Sequence, residues 1–385
     1  MRAVGVIVEY NPLHNGHLYH LKMARKRSGA DVVIAVMSGN FLQRGEPAIL
    51  DKWHRAEVAL RYGADLVVEL PFAYAVEPAD RFAAGALKLL AALKCDSLAF
   101  GTENAALDYQ KIGHRLAALP NLHYYFRDYQ QTYATQLNQF YQATLQLNID
   151  HPNQLLGLSY AAANAHLGQP LQLLPITRHY AQYQDQELNG TNIASARAIR
   201  RVVLHQAKVP AEIAAVVPPE TLQALQQNQL LSWQNFYPFL RYRILSTPTA
   251  ELAQTYQMTE GLEYRFHRAI KTATNFTSLL RGLKTKRYTY TRLQRLCLYV
   301  LLNVKPAAIR QVETHPYFHL LGFTAQGQAY LHQIKADLPF PLISRVSQKI
   351  GSEKGPLSLE IQTDAVYSLV SGREQNFNRP PLRID

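Results

Sequence analysis

His14 and His17 stand three residues apart, with Gly16 between them, directly after an apolar run that ends in Asn11-Pro12. Each imidazole carries N–H donors on a short side chain. A pair at this spacing, where a strand hands over to a helix, can grip the phosphates of a nucleoside triphosphate. When an α-phosphate is attacked, charge grows on its equatorial oxygens. Fixed donors stabilise that state more than the ground state. Free backbone amides at a helix start, with the positive end of its dipole, would add to the attraction. Gly16 removes the Cβ that would block a nucleotide. Zinc is the weaker reading, because a helical metal pair prefers i, i+4 spacing and no cysteine cluster supports it. The sequence points to no metal-ligating set.

Several elements must position that pair. Val4 to Val8 is short, β-branched and uncharged, which predicts a buried strand. Pro12 stops it, and Leu18, Leu21 and Ala24 then recur at helical spacing, with Lys22, Arg25, Lys26 and Arg27 towards the helix end. Alternation continues with a strand from Asp31 to Met37, a helix from Asp51 to Tyr62 and a strand from Asp65 to Leu70 ended by Pro71. A helix follows from Asp80 to Leu93, then a strand from Asp96 to Phe100 stopped by Gly101, and another helix from about Ala105. Leu171 to Ile176 is a later strand interrupted by Pro175, and Ser195 to His205 a later helix. This pattern predicts an α/β fold with a parallel sheet covered on both faces. Ligands in such sheets sit at the carboxyl ends of the strands. The polar residues gather there: His14 and His17, Ser38-Gly-Asn40, Gly101-Thr-Glu103 and Thr177-Arg-His179.

Other motifs admit two readings each. Ser38, Asn40, Gln43 and Arg44 have the donors and the cation to bind a small carboxylate or an acceptor group, or they form a polar loop with turn glycines. Asp51 reads as a helix N-cap. Ser195 with the first-turn amides, and Arg197 or Arg200, could bind the β- and γ-phosphates, or Ser195 merely caps an amphipathic helix. Arg178 is a phosphate ligand or a solvated charge. Asn153 reads a base or ribose edge, or caps the helix that follows it.

The chain has 385 residues, enough for about two domains. We expect a division into 1–207 and 208–385, with Pro210, Pro218 and Pro219 marking the linker region. Beyond it helical spacing prevails through Leu301, with a mixed tail after Pro316. Hydrophobic and charged contents of 48% and 18% fit an ordinary soluble protein, but a net charge of +12 points to a polyanionic partner. Between Lys271 and Arg295 lie seven cations (Lys271, Arg281, Lys284, Lys286, Arg287, Arg292 and Arg295) and no acid, with Tyr288 and Tyr290 among them. Such a run suits an RNA backbone and unstacked bases, or it is a solvated face. Cys95 and Cys297 show no pairing pattern, so a reducing cytoplasm fits. No secretory signal or membrane span is expected.

Asn11-Pro12-x-His14-x-Gly16-His17 resembles the signature of the HxGH nucleotidyltransferase superfamily, and Ser195 to Arg200 resembles its second phosphate-binding motif. Over most of its length the chain is similar to the bacterial tRNA(Met) cytidine acetate ligase family. The matching stretches are Glu9-Tyr-Asn-Pro-Leu-His-Asn-Gly-His17, Ser38-Gly-Asn-Phe-Leu-Gln-Arg-Gly-Glu-Pro47, Phe100-Gly-Thr-Glu103, Ala194-Ser-Ala-Arg-Ala-Ile-Arg200 and Thr285-Lys-Arg-Tyr-Thr-Tyr-Thr-Arg292. The resemblance implies a Rossmann-like nucleotidyltransferase domain followed by a mostly helical, basic, tRNA-binding domain. It implies that ATP and acetate give acetyl-adenylate and pyrophosphate, and that the acetyl group passes to N4 of the wobble cytidine of elongator tRNA(Met). ATP would be bound by Ile7, Val8, Glu9, Tyr10, Asn11, Pro12, Leu13, His14, Asn15, Gly16, His17, Leu18, Tyr19 and His20, with Gly101, Asn153 and Arg178. His14 and His17 would act in adenylyl transfer. Mg²⁺ is expected with the triphosphate, though no carboxylate cluster would bind it alone; no protein partner is implied.

One departure is Glu9, where many HxGH adenylyltransferases carry a small or hydroxyl residue. That argues for a different acceptor. Two rival functions come from other directions: an adenylyltransferase making a small dinucleotide-type cofactor, which needs no basic helical domain of this size, and a non-catalytic RNA-binding protein on a vestigial fold. The intact histidine pair argues against the second.

Overall fold

The Val- and Ile-rich runs pair along their whole length, as uncharged β-branched strands buried on both faces do. The computed structural model describes residues 1–119, 133–147, 149, 151–178, 192–206 and 208–385; His179 and Ala207, at the expected domain division, lie outside them. Five parallel strands, β1 (Ala3–Val8), β2 (Val32–Ser38), β3 (Leu66–Leu70), β4 (Ser97–Thr102) and β5 (Gln172–Thr177), lie in the order β5-β4-β1-β2-β3. The order reverses between β1 and β4. Loops leaving those two strands diverge and open a crevice at their carboxyl ends, where α/β sheets bind ligands.

Two boundaries differ from expectation by more than one residue. β4 runs through Gly101 to Thr102 instead of stopping at the glycine. The helix expected from about Ala105 begins at Tyr109, because Asp108 accepts a hydrogen bond from the Lys111 N–H and sets the start there. Pro175 sits within β5, which is tolerated because β5 is the edge strand of the order.

Helix α1 (Asn15–Ser28) is capped by His14 and closed by Gly29 in the left-handed conformation. Helix α2 (Lys52–Arg61) is capped by Asp51, which accepts from the His54 N–H. Residues beyond 208 are helical from Pro219–Gln227 through Pro306–Thr314. The tail then returns to the sheet: β6 (Phe318–Thr324) pairs antiparallel with β3, and β7 (Leu342–Ile343) and β8 (Leu382–Ile384) pair parallel with β6. A continuous apolar core joins Val36 and Val68 of the sheet to Phe236, Leu279 and Tyr367.

A buried polar network ties the tail to β3 and to the helix that begins at Lys52. Lys52 Nζ donates to both Glu69 carboxylate oxygens, at 3.0 and 2.8 Å, and to Asp364 Oδ2 at 2.7 Å. His319 Nδ1 lies 2.5 Å from Glu69 Oε2. Each buried charge is thus paired, the condition under which such a cluster is tolerated.

Candidate active site

A cavity of about 1270 Å³ opens at the carboxyl ends of β1 and β4. β1 and α1 contribute Ile7 through Asn11, His14, Gly16, His17, Tyr19 and His20 to its lining; Gly101, Asn153 and Arg178 come from the β4 side. Gln43, Arg44 and Arg200 join them, and so do Arg287, Arg292 and Arg295 from the helical stretch. Two motifs separated by more than half the chain therefore face one space.

The histidine pair is set by its own helix start. His14 Nδ1 accepts from the Gly16 N–H at 3.0 Å, and His17 Nδ1 accepts from the His14 N–H at 3.3 Å. The two rings lie 3.8 Å apart, and Tyr10 packs edge-on to His17. Backbone amides cannot accept, so neither Nδ1 carries a proton, and each ring offers Nε2–H as its donor. Burial, with Arg178 and Arg200 nearby, lowers the His14 pKa to about 3. Burial, and then His14 and Arg178, lowers that of His17 well below its ordinary value. Both are neutral donors, not cations.

One detail of the phosphate reading is corrected, and a second gains a further cause. The first-turn amides of α1 are already engaged: Asn15 N–H donates to Val216 O at 3.0 Å, Gly16 N–H to the His14 ring, and His17 N–H to His14 O at 2.8 Å. Anion binding at this helix therefore falls on side-chain donors. Gly16 lines the cavity and also makes room for its neighbour: a Cβ there would stand 2.8 Å from His14 Cε1. Removing the glycine would displace the ring that caps the helix.

Arg200 spans the rest of the crevice. Its Nη1 donates to Asn11 O at 2.7 Å and its Nη2 to Glu46 Oε2 at 3.1 Å. Ser195 caps its helix, Ala196–Leu204, by accepting from the Ala198 N–H at 3.1 Å, and only Ala196 and Arg200 of this motif line the cavity. Of the four residues expected to meet a carboxylate, Gln43 and Arg44 line it, whereas Ser38 and Asn40 are buried elsewhere. Asn40 Nδ2 donates to Asp364 Oδ1 at 2.7 Å and its Oδ1 accepts from the Lys52 N–H at 2.8 Å, so the tail network consumes it. Pro12, Leu13, Asn15 and Leu18 also lie outside the lining; the Asn15 amide instead ties α1 to the Asn192 and Ala215 carbonyls. Lys284 and Lys286 are outside it as well.

Three further residues shape the site. Glu103 accepts from Asn153 Nδ2 at 2.5 Å and lies 3.8 Å from Arg178 Nε, holding together two residues that line the cavity. Its place at a strand end was the available signal. Fully buried Arg55 donates to the carbonyls of Glu9, Ser38, Gly39 and Leu50, gathering the ends of β1 and β2. Nothing in the sequence marked it apart from other helix cations. Glu9 Oε1 accepts from the Gln43 N–H at 2.9 Å, and burial raises its pKa against the pull of that bond and of Arg44.

The loop carrying Gln43 and Arg44 is docked on the helical stretch. Gly45 has φ +76°, and a Cβ there would come within 2.5 Å of the Arg295 backbone nitrogen. Trp233 Nε1 donates to Gly45 O at 2.9 Å. In the basic segment, Glu260 supplies the acid that the run itself lacks, pairing with both the Arg287 guanidinium and the Tyr288 hydroxyl. Among the described residues, no group of three or more His, Cys, Asp or Glu could hold a metal ion, and no helix is long and apolar enough to cross a membrane.

The HIGH Nucleotidyl Transferase family model matches residues 1–379. A protein of Latilactobacillus sakei named tRNA(Met) cytidine acetate ligase is 55% identical over 382 residues, covering 99% of this chain and 97% of that protein. One of the same name from Levilactobacillus brevis is 46% identical, covering 100% and 98%. Among solved structures, apo Thermotoga maritima TmcAL aligns with a TM-score of 0.86 at 28% identity over the whole of both chains. The form bound with alpha-thio ATP aligns at 0.81 and 26% identity, covering 100% of this chain and 99% of that one. With a capped imidazole pair at the sheet's switch point and these full-length similarities, the chain belongs to the HIGH nucleotidyltransferases and, within them, to the tRNA(Met) cytidine acetate ligases.

Proposed function

We propose that this chain activates acetate with ATP and transfers the acetyl group to N4 of the wobble cytidine of elongator tRNA(Met), in the cytoplasm. The observation that carries the reading is the shared cavity, lined both by the neutral imidazole donors and by Arg287, Arg292 and Arg295 of the basic segment. Acetate oxygen attacks the α-phosphorus, and the bond to pyrophosphate breaks. Charge gathering on the α-phosphate is met by the Nε2–H donors of His14 and His17. Gly101, Asn153 and Arg178 hold the ATP, Arg178 at its phosphates, and Gln43 with Arg44 orients the carboxylate. The cytidine amino nitrogen then attacks the acyl carbon, loses one proton, and AMP departs with the bridging oxygen.

Residues 1–207 carry adenylate formation in this scheme, while Lys284, Lys286, Arg287, Arg292 and Arg295 meet the RNA. Mg²⁺ accompanies the triphosphate; the described residues provide no carboxylate cluster for it, and no step is routed through it. Two assays test the reading on the full chain. Labelled pyrophosphate should exchange into ATP only when acetate is present, and nucleosides from tRNA incubated with ATP and labelled acetate should contain labelled N4-acetylcytidine. Exchange that requires a mononucleotide instead of acetate would overturn it.

A further inference from the structure

Tyr288 and Tyr290 are two residues apart but in opposite environments. Tyr288 is 4% exposed, its hydroxyl donates to Glu260, and the Arg292 guanidinium lies over its ring at 4.5 Å. Arg287 lies over the same ring at 5.7 Å. This tyrosine is a platform for two cavity-lining arginines and has no open face to offer a base. Tyr290 is 50% exposed and is the first residue of the Tyr290–Leu301 helix, whose cap is Thr289. Its neighbours Thr289 and Thr291 both line the cavity, while the exposed Tyr290 ring itself lies outside the lining. The Lys284 ammonium lies 5.5 Å from its centroid.

A cytidine whose N4 must reach the interior of this cavity has to leave its stack, which costs the stacking it gives up. An aromatic ring at the mouth, flanked by cations for the adjoining phosphates, offsets part of that cost, because any base has a face to lay on it. We infer that Tyr290 is the stacking platform for an unstacked nucleobase of the acceptor RNA at the cavity mouth, with Lys284 beside it for the backbone. The inference rests on the RNA reading proposed above and deepens it by separating the two tyrosines of the segment.

The test uses the full chain, an RNA hairpin carrying the anticodon loop of elongator tRNA(Met), and the variants Tyr290→Ala, Tyr290→Phe and Tyr242→Ala. Tyr242 is 72% exposed but lies between Arg241 and Arg243, neither of which lines the cavity. Acetylation kcat/KM for the hairpin is read relative to acetate-dependent pyrophosphate exchange on the same preparations. Tyr290→Ala should lower that ratio about tenfold, mostly through KM, while Tyr290→Phe stays within about twofold. Tyr242→Ala should match the parent. An unchanged ratio in Tyr290→Ala, an equal loss in Tyr290→Phe, or an equal loss in Tyr242→Ala would each overturn the assignment. Lys284→Ala combined with Arg287→Ala separates the two levels: hairpin affinity lost there but kept in Tyr290→Ala removes only the stacking role. Affinity kept in both removes the RNA surface itself.

Discussion

At the β1–α1 turn the donors are neutral, buried and held by bonds that reach two or three residues along the chain. In the basic segment they are charged and rest on an acid and an aromatic ring, Glu260 lying 28 residues from the tyrosine it binds. The first arrangement is pre-organised before any ligand arrives, which is what a developing charge on phosphorus requires. The second is the set of charges that the proposed function assigns to a polymer whose binding is dominated by its backbone and follows salt. One cavity thus joins a site built for geometry to a surface built for charge.

The largest expected effect breaks the first side only. His14→Ala, or His17→Ala, should lower acetate-dependent pyrophosphate exchange by about 10²–10³-fold, the usual loss for one pre-organised donor. Equilibrium binding of tRNA should hold. Equal loss of both would mean that the histidines shape the whole cavity, not the reacting phosphate. Next in size is Lys284→Ala with Arg287→Ala: tRNA affinity should fall about tenfold near ~0.1 M salt, with a log–log salt slope shallower by about one to two. An unaltered salt titration would place the RNA surface elsewhere.

A third test follows from burial of an imidazole. His14 takes up a proton at about pH 6.5 when unfolded but only at about 3 when folded. Between those values the unfolded chain binds more protons, so stability falls as pH falls through that window. His14→Ala should make the fall shallower, by at most about 1.4 kcal/mol over the first pH unit, as read from urea unfolding midpoints. An identical slope in parent and variant would deny the neutral, buried state. The smallest effect sharpens the ATP side: Glu103→Gln keeps an acceptor for Asn153 but loses the charge facing Arg178. Since the pair is partly solvated, KM for ATP should rise about two- to fivefold with kcat little changed. A fall in kcat alone would make Glu103 part of the chemistry.

The same contrast explains what could be read from the sequence. The strand, the Asn11-Pro12 turn and the helix after it all lie within one short stretch, so residue types and spacing were enough to place them, whereas the His14 cap and the closing Gly29 came only from the structure. What stayed hidden depends on partners far along the chain. Asn40 looks like a ligand residue until Asp364, 324 positions away, claims its amide. The basic run looks free of acids until Glu260 folds against it. β6 reaches β3 by a return no local periodicity signals, and His319 meets Glu69 across 250 positions. Even within the legible stretch, periodicity could not tell that the first-turn amides are used up, because that depends on where the His14 ring turns.

The direct test of the central claim is a long-range ¹H–¹⁵N spectrum of the imidazoles in the ligand-free protein, followed from about pH 8 down to about pH 5. His14 and His17 should both appear as neutral rings, unprotonated at Nδ1 and protonated at Nε2, and should not shift across the range. A titration of either near pH ~6.5, or a proton on Nδ1, would contradict a pair of neutral donors set to receive the charge on phosphorus.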